Sequence, residues 1–126
     1  MNMTNTTELT QKKCQPCEGM ETPLPKKEAQ NYLQKISNWN IDSNGKMIYR
    51  DYVMKNFLAA IDLINKIAQI AESENHHPEI HLTSYRKLKI ELTTHAIGGL
   101  SENDFIVAAK INELPALLKK EETQRV

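Results

Sequence analysis

Apolar residues recur at helical spacing in three stretches of the chain, which predicts three amphipathic helices. The longest stretch runs from Phe57 to Ala71, and it should end before Pro78 because the residue preceding a proline disfavours the α region. A shorter stretch covers Pro25 to Ile36, with the proline in the first turn, where its missing N–H costs nothing. The third helix should begin at Ser101, since Asp104 three residues later completes a capping-box pattern.

The segments between these helices have the residue types and alternation of β-strands. Trp39–Ile41 and Lys46–Met54 flank a Ser-Asn-Gly turn, and Asn-Gly favours a hairpin. Ile80–Tyr85 and Lys87–Thr94 follow the long helix, and in the second of these apolar and polar residues alternate. The order of elements predicts an α+β fold, a two-layer sandwich. An antiparallel sheet of about four strands would carry three helices on one face.

The chain has 126 residues, a length typical of about one domain. Residues 1–23 are poor in large apolar side chains. We therefore expect a flexible N-terminal arm there, because such a segment buries too little surface to offset its ordering entropy. The domain itself should cover residues 24–118, and residues 119–126 should form a polar C-terminal tail.

The charges of the chain are balanced, with 16 Lys and Arg residues against 16 Asp and Glu residues. This balance argues against direct binding of nucleic acid or of an anionic membrane, because both need a basic excess. No apolar run reaches the ~20 residues of a membrane span, and the N-terminus lacks the apolar region of a signal peptide. Two cysteines are too few for a disulfide scaffold, so we expect a cytoplasmic protein.

Chemistry is concentrated in one part of the chain. The histidines His76, His77, His81 and His95 account for all four in the sequence. Imidazole is the side chain best suited to proton transfer near neutral pH. Glu72 lies four residues before His76, so a helix that persisted that far would place the carboxylate beside the imidazole. Two or three imidazoles and a carboxylate would then form one cluster suited to acid–base chemistry.

Plainer interpretations of some of these residues stay open. His77 with Pro78 can simply end a helix, with the ring bound to the last carbonyl groups. His81 is expected on the surface of a strand without a role. Cys14 and Cys17 have the spacing of half a zinc site, but no second pair of ligands lies at the usual distance. Two exposed thiols are therefore the plainer interpretation of the cysteines.

The spacing of the chemical residues resembles the signature of the pterin-4a-carbinolamine dehydratases. The residues that carry this resemblance are Glu72, His76, His77, Pro78, Tyr85, His95 and Asp104. The segments Glu91–His95 and Gly98–Phe105 are also similar to the family pattern, and the similarity extends over Leu24 to Asn112. Ile80 stands where many members have an aromatic residue, often tryptophan, so that position would supply no aromatic wall.

The resemblance implies an enzyme that converts 4a-hydroxy-tetrahydropterin to the quinonoid dihydropterin and water, in the recycling of a tetrahydrobiopterin-type cofactor. It implies no metal and no cofactor, because the pterin is itself the substrate. An aromatic amino-acid hydroxylase would be the metabolic partner. The alternative is a non-catalytic binding protein or dimerisation cofactor on the same fold.

The resemblance also implies a role for each motif residue. His76 and His95 would be the acid/base pair, and His77 would position the substrate. Glu72 would support His76, and Asp104 would support His95 or the loop after it. The other supporting residues are Pro78 and Tyr85.

We expect a homo-oligomer, either a dimer or a tetramer, with the tetramer favoured. Members of the family form dimers that pair into tetramers, so the resemblance implies such an assembly. The long helix supports it, because Leu58, Leu63 and Ile70 lie outside its main apolar stripe. Surplus apolar surface on a small domain usually marks a contact with a partner.

Overall fold

The computed structural model describes residues 6–16 and 22–120 of the chain. The helices of this part are α1 (Thr6–Thr10), α2 (Lys26–Leu33), α3 (Phe57–Glu74) and α4 (Glu102–Asn112). Its strands are β1 (Asn40–Ile41), β2 (Ile48–Val53), β3 (Glu79–Thr83) and β4 (Lys87–Leu92). A short 3₁₀ helix, His95–Ile97, lies between β4 and α4. Apart from α1 and this turn, the elements follow the predicted order.

The strands form one antiparallel sheet in the order β1-β2-β4-β3. Both predicted hairpins are present, one between β1 and β2 and the other between β3 and β4. The hairpins join through β2 and β4, which pair from Ile48 opposite Leu92 to Val53 opposite Lys87. This central pairing connects distant parts of the chain, so no turn motif specifies it.

One face of the sheet is buried against the helices. In β4 the side chains of Leu88, Ile90 and Leu92 are buried, whereas Lys87 and Lys89 lie on the opposite face, as the two-residue period of a strand requires. The buried residues of the sheet form one core with buried residues of α2, α3 and α4. The predicted α+β fold is therefore confirmed.

The helix caps follow the signals in the sequence. Asn56 begins α3, and its Oδ1 accepts a hydrogen bond from the N–H of Ala59 at 2.8 Å. Ser101 begins α4 with a capping box, in which the Asp104 carboxylate accepts a hydrogen bond from the Ser101 N–H at 2.9 Å. Asn75 closes α3 in the left-handed conformation, with φ of 54°, which asparagine tolerates better than most residues.

The outer surface of α3 is less apolar than predicted. Leu63 is only 1% exposed, and Ile70 is half-buried against the core. Leu63 lies three residues after Ala60 and four before Ile67, so it belongs to the same buried stripe. Of the three residues assigned to the outer surface, only Leu58 is exposed, at 76%.

Part of the predicted N-terminal arm packs on the domain. Helix α1 lies against α4, and Leu9 is buried in the core. The N–H of Cys14 donates a hydrogen bond to Glu74 Oε1 at 2.9 Å. Over residues 6–16 the structure thus differs from the predicted flexible arm. The composition of this segment is mostly polar, but one buried leucine and hydrogen-bond partners on the domain hold it in place. Residues 1–5 and 17–21 of the predicted arm lie outside the described residues.

The chain after α4 returns to the end of β2. The carbonyl of Leu117 accepts a hydrogen bond from the N–H of Lys55 at 2.9 Å, and the N–H of Lys119 donates to the carbonyl of Val53 at 2.9 Å. Residues 121–126 of the predicted polar tail lie outside the described residues. Among the helices that the structure describes, none is long and apolar enough to cross a membrane.

Candidate active site

His76 and Asp104 form a buried pair between the end of α3 and the start of α4. His76 Nε2 lies 2.7 Å from Asp104 Oδ1, and the two side chains are 8% and 0% exposed. The left-handed Asn75 turns the chain out of α3, while the N–H of His76 still bonds to the carbonyl of Ala71 at 3.1 Å. An ionised carboxylate only accepts hydrogen bonds, so Nε2 carries the hydrogen and the orientation of the ring is held.

The second carboxylate oxygen of Asp104 ties this pair to the end of the sheet. Asp104 Oδ2 accepts hydrogen bonds from Thr94 Oγ1 at 2.9 Å and from the Ser101 N–H at 2.9 Å. The hydroxyl groups of Thr94 and Ser101 are themselves 2.8 Å apart. Thr94 directly precedes His95, so the buried network reaches from His76 to the turn that carries His95.

His77 lies on the solvent side of the same turn. Its Nε2 is 2.7 Å from Glu72 Oε2, and both side chains are more than half exposed. Glu72 lies in the last turn of α3, so the contact spans the helix end. An exposed carboxylate at this distance can orient the imidazole while leaving it accessible to a ligand.

A small cavity of about 80 Å³ lies where His77 approaches the exposed face of the sheet. The residues that line it are Met47, His77, Glu79, Glu91, Thr93 and His95. His95 Nε2 is 4.0 Å from Glu79 Oε2, and Glu79 lies directly opposite Glu91 in the pairing of β3 with β4. Two imidazoles and two carboxylates around one cavity can deliver a proton to a bound molecule and remove another from it.

Two larger surface cavities lie elsewhere on the described residues. One of about 580 Å³ is lined by Lys55, Arg86 and residues 117–120. The other, of about 320 Å³, lies on the exposed face of the sheet around His81 and Lys89. Neither is lined by His77 or His95, so the smaller cavity is the one that brings the candidate acid–base groups together.

The structure changes the predicted pairing of carboxylates with imidazoles. Glu72 contacts His77 rather than His76, because α3 ends at Glu74 and the left-handed residue after it rotates His76 away from the helix face. Asp104 contacts His76 directly. Through its hydrogen bond with Thr94 it also contacts the residue directly before His95.

Of the other two predicted supporting residues, Pro78 lies beside the cavity and Tyr85 does not. Pro78 directly precedes Glu79, which lines the cavity. Tyr85 is exposed in the turn at the other end of the β3–β4 hairpin. The guanidinium of Arg86 lies 5.2 Å from the centre of its ring. The predicted supporting role of Tyr85 therefore does not follow from its position in the described chain.

The strand β3 places its residues on two different faces. His81 is half-exposed, as predicted, and its Nε2 lies 3.0 Å from Glu91 Oε1. Ile80 points to the other face and packs against the core. An aromatic residue at position 80 would therefore face the helices rather than the cavity.

Sequence reasoning missed Glu79 and Glu91. The signal that could have found them is alternation: Glu91 shares a strand face with Thr93, and Glu79 follows the His-His-Pro segment directly. Their opposition across the two strands could not be predicted without the hairpin register.

Some of these groups could hold a metal ion. One ligand atom from each of Glu79, His81 and Glu91 lies within 4.8 Å of the others. In contrast, burial raises the pKa of the Cys14 thiol to about 12, which favours the thiol over the thiolate that binds zinc. Cys17, the other half of the candidate zinc motif, lies outside the described residues.

Sequence comparisons identify the family. The sequence model of the family described as pterin 4 alpha carbinolamine dehydratase matches residues 22–114. The mitochondrial pterin-4-alpha-carbinolamine dehydratase 2 of Arabidopsis thaliana is 43% identical over 123 residues, which cover 94% of this chain and 66% of the plant protein. A Halorhodospira halophila protein, named provisionally as the same enzyme, is 41% identical over 86% of this chain and 98% of its own length.

Solved structures share the fold. A transcriptional coactivator/pterin dehydratase from Brucella melitensis superimposes with a TM-score of 0.67 and 28% identity, over 72% of this chain and 96% of that one. A pterin dehydratase-like protein identified as a RuBisCO assembly factor in the alpha-carboxysome has a TM-score of 0.50 and 16% identity, over 60% of this chain and 86% of its own, and shares the fold alone. The match to the family model, the relatives and the fold together confirm the resemblance seen in the sequence: this chain belongs to the pterin-4-alpha-carbinolamine dehydratase family, a family of hydro-lyases.

Proposed function

We propose that this protein dehydrates pterin 4a-carbinolamines, so that 4a-hydroxy-tetrahydropterin loses water and becomes the quinonoid dihydropterin. The observation that carries the proposal is the pair of imidazoles, His77 and His95, on one cavity with Glu79 and Glu91. Membership of the family supplies the substrate class. The reaction needs one proton delivered to the leaving hydroxyl and one removed from the ring, and two titratable groups on one bound molecule suit this requirement.

His77 and His95 are our candidates for the two proton transfers, because both rings line the cavity and are more than half exposed. The family resemblance implies His76 and His95 instead. Since Asp104 engages Nε2 of the buried His76, the geometry favours a supporting role for His76. Glu72 would orient His77 through its 2.7 Å contact.

The carboxylates of the cavity have a separate electrostatic role in this proposal. Loss of hydroxide leaves positive charge on the pterin, and Glu79 and Glu91 are placed to stabilise that charge. The proton given to the hydroxyl leaves in the product water, and the proton taken from the ring replaces it on the protein. The total number of protons on the protein is therefore unchanged, and the proton gained by the base must return to the acid before the next turnover.

The size of the cavity supports the predicted homo-oligomer. A volume of about 80 Å³ is well below the ~300–1,000 Å³ of pockets that enclose small ligands. A bicyclic pterin bound to a single chain would thus stay open to water on one side, and a second copy of the chain could supply the missing wall. Light scattering at micromolar concentration tests this: a mass near the 14.4 kDa of one chain would contradict the proposal.

The activity is tested by following dehydration of 4a-hydroxy-tetrahydropterin with the purified protein. We expect His77→Ala and His95→Ala each to lower turnover by ~10²-fold or more. His81→Ala is the matched control, because His81 does not line the cavity. Since its ring contacts Glu91, this variant should lose some turnover, but far less than the other two. If all three folded variants had equal turnover, the assignment of the proton transfers to His77 and His95 would be wrong. Loss of wild-type activity on adding a chelator would contradict a mechanism that needs no metal.

The alternative is a non-catalytic binding protein or dimerisation cofactor on the same fold. The observation that favours this alternative is the Brucella melitensis structure, which is described as both a transcriptional coactivator and a pterin dehydratase. Wild-type protein that binds a pterin but does not accelerate its dehydration would support this alternative.

The remaining predictions concern the surroundings of the enzyme. We propose an aromatic amino-acid hydroxylase as the source of the substrate and the cytoplasm as the compartment. The Arabidopsis thaliana relative is named as mitochondrial, so fractionation of the source cells is the direct test of the compartment.

A further inference from the structure

The N-terminal strap, residues 8–16, lies outside the segment that the family model matches. The strap is attached to the domain at several points along its length. Leu9 is buried in the core near its start, and Lys12 Nζ lies 2.6 Å from Glu102 Oε2 on α4. The rest of the strap runs without helix or strand across the junction between α3 and α4.

A two-way hydrogen bond joins the strap to Asn103. The N–H of Gln15 donates to Asn103 Oδ1 at 2.9 Å, and Asn103 Nδ2 donates to the carbonyl of Gln15 at 2.8 Å. One side-chain amide therefore binds both backbone groups of a single residue, as a neighbouring strand would. Asn103 is buried, so water could hardly replace these two hydrogen bonds if they were lost. Their loss would therefore destabilise the protein.

A second contact joins the strap to the end of α3. The buried Glu74 accepts hydrogen bonds from the N–H of Cys14 at 2.9 Å and from Lys110 Nζ at 2.5 Å. Burial alone would raise the pKa of Glu74, but these two hydrogen bonds hold it below its ordinary value. Glu74 is therefore an ionised anchor that binds both the strap and α4.

These two anchors flank the buried histidine–carboxylate pair. Glu74 lies two residues before His76, and Asn103 directly precedes Asp104. The strap thus binds the last residue of α3, just before His76, and the first turn of α4, which contains Asp104. Given the dehydratase function proposed above, we propose that the strap holds the distance between these helix ends, so that Asn103 is a positioning residue for the His76–Asp104 pair.

A pair of variants at position 15 tests this in the full-length chain. Gln15→Pro removes the N–H that Asn103 accepts, whereas Gln15→Ala keeps the whole backbone and is the matched control. We expect Gln15→Pro to lower kcat by about tenfold with little change in KM. The His76–Asp104 pair supports the turn that carries His95 through Thr94, and misplacing a catalytic group such as His95 by a fraction of an ångström slows the chemical step. Gln15→Ala should keep the wild-type kcat. If Gln15→Pro does not fold, the nearly isosteric Asn103→Asp, which keeps the acceptor and loses the donor, is measured in the same way.

Side-chain NMR of the histidines reports the position of the His76 ring independently of the stability of the protein and of its activity. The ¹H–¹⁵N signals of the His76 ring should shift in Gln15→Pro but not in Gln15→Ala. Unchanged His76 signals and kcat in a folded Gln15→Pro, or in a folded Asn103→Asp, would overturn the proposal even if either variant melted earlier. If the wild type proves inactive, the proposed function fails, but the His76 signals still decide whether the strap positions the pair.

Discussion

Replacing Asp104 by asparagine should destabilise the protein far more than removing a surface charge. The carboxylate is fully buried and accepts hydrogen bonds from His76 Nε2, Thr94 Oγ1 and the Ser101 N–H. An asparagine has one acceptor oxygen, which must face Thr94 and Ser101 because both donate there. Its NH₂ group would then face His76 Nε2, and the imidazole would have to move its hydrogen to Nδ1 to accept.

The size of the effect follows from these three bonds. Hydrogen bonds to charged groups contribute ~1.5–3 kcal/mol each, against ~0.5–1.5 kcal/mol for neutral ones. Converting three bonds from the first kind to the second predicts a loss of ~3–4.5 kcal/mol in the free energy of unfolding. Asp104→Ala should cost more, because it leaves buried donors without an acceptor and removes the capping box of α4.

Urea denaturation is the assay, with fluorescence of the single, buried Trp39 as the probe. Asp62→Asn is the matched control, because Asp62 is exposed and, within the described ranges 6–16 and 22–120, forms its ion pair with Lys66 at 3.1 Å. That variant should change the free energy of unfolding by less than ~0.5 kcal/mol. A loss below about 1 kcal/mol in Asp104→Asn, at an unchanged urea dependence, would refute the reasoning that the buried carboxylate organises the site.

Three further variants test the anchor, the core and a cap. The pKa of Glu74 lies below its ordinary value of 4.5. The ionised carboxylate therefore contributes its full stabilisation above pH 4.5, and this contribution is lost as the pH falls through the lowered pKa. The difference in free energy of unfolding between wild type and Glu74→Gln, measured by urea denaturation from pH 7 to pH 3, should shrink only in that acidic range. Phe105→Ala should cost ~3–5 kcal/mol in the same assay, because Phe105 is fully buried, whereas Leu117→Ala, at an exposed position, should cost little. Asn56→Ala removes the cap of α3 and should cost ~1 kcal/mol, with a shift in melting temperature as the check; no shift would contradict its role.

Much of the fold could be predicted from sequence because its signals are local. Asn56 and Ser101 cap helices through backbone groups only two or three residues away. The alternation in β4 identifies the buried face of the strand without reference to its neighbours. The helices, hairpins and fold class follow from such short-range rules, and the histidine cluster was visible because its members are close in sequence.

The arrangement within the site depended on the tertiary structure. Helical spacing predicted Glu72 beside His76, but one left-handed residue, Asn75, turns His76 toward Asp104 instead. The opposition of Glu79 and Glu91 in the cavity and the contacts of the strap also depend on the tertiary structure. The hydrogen-bond partners of the strap are about 60 to 90 residues away in sequence. Composition alone indicated that the strap buries too little apolar surface to be ordered. It could not show that buried polar groups on two helices would bind its backbone, because a hydrogen bond between distant segments depends on where the packed core places them.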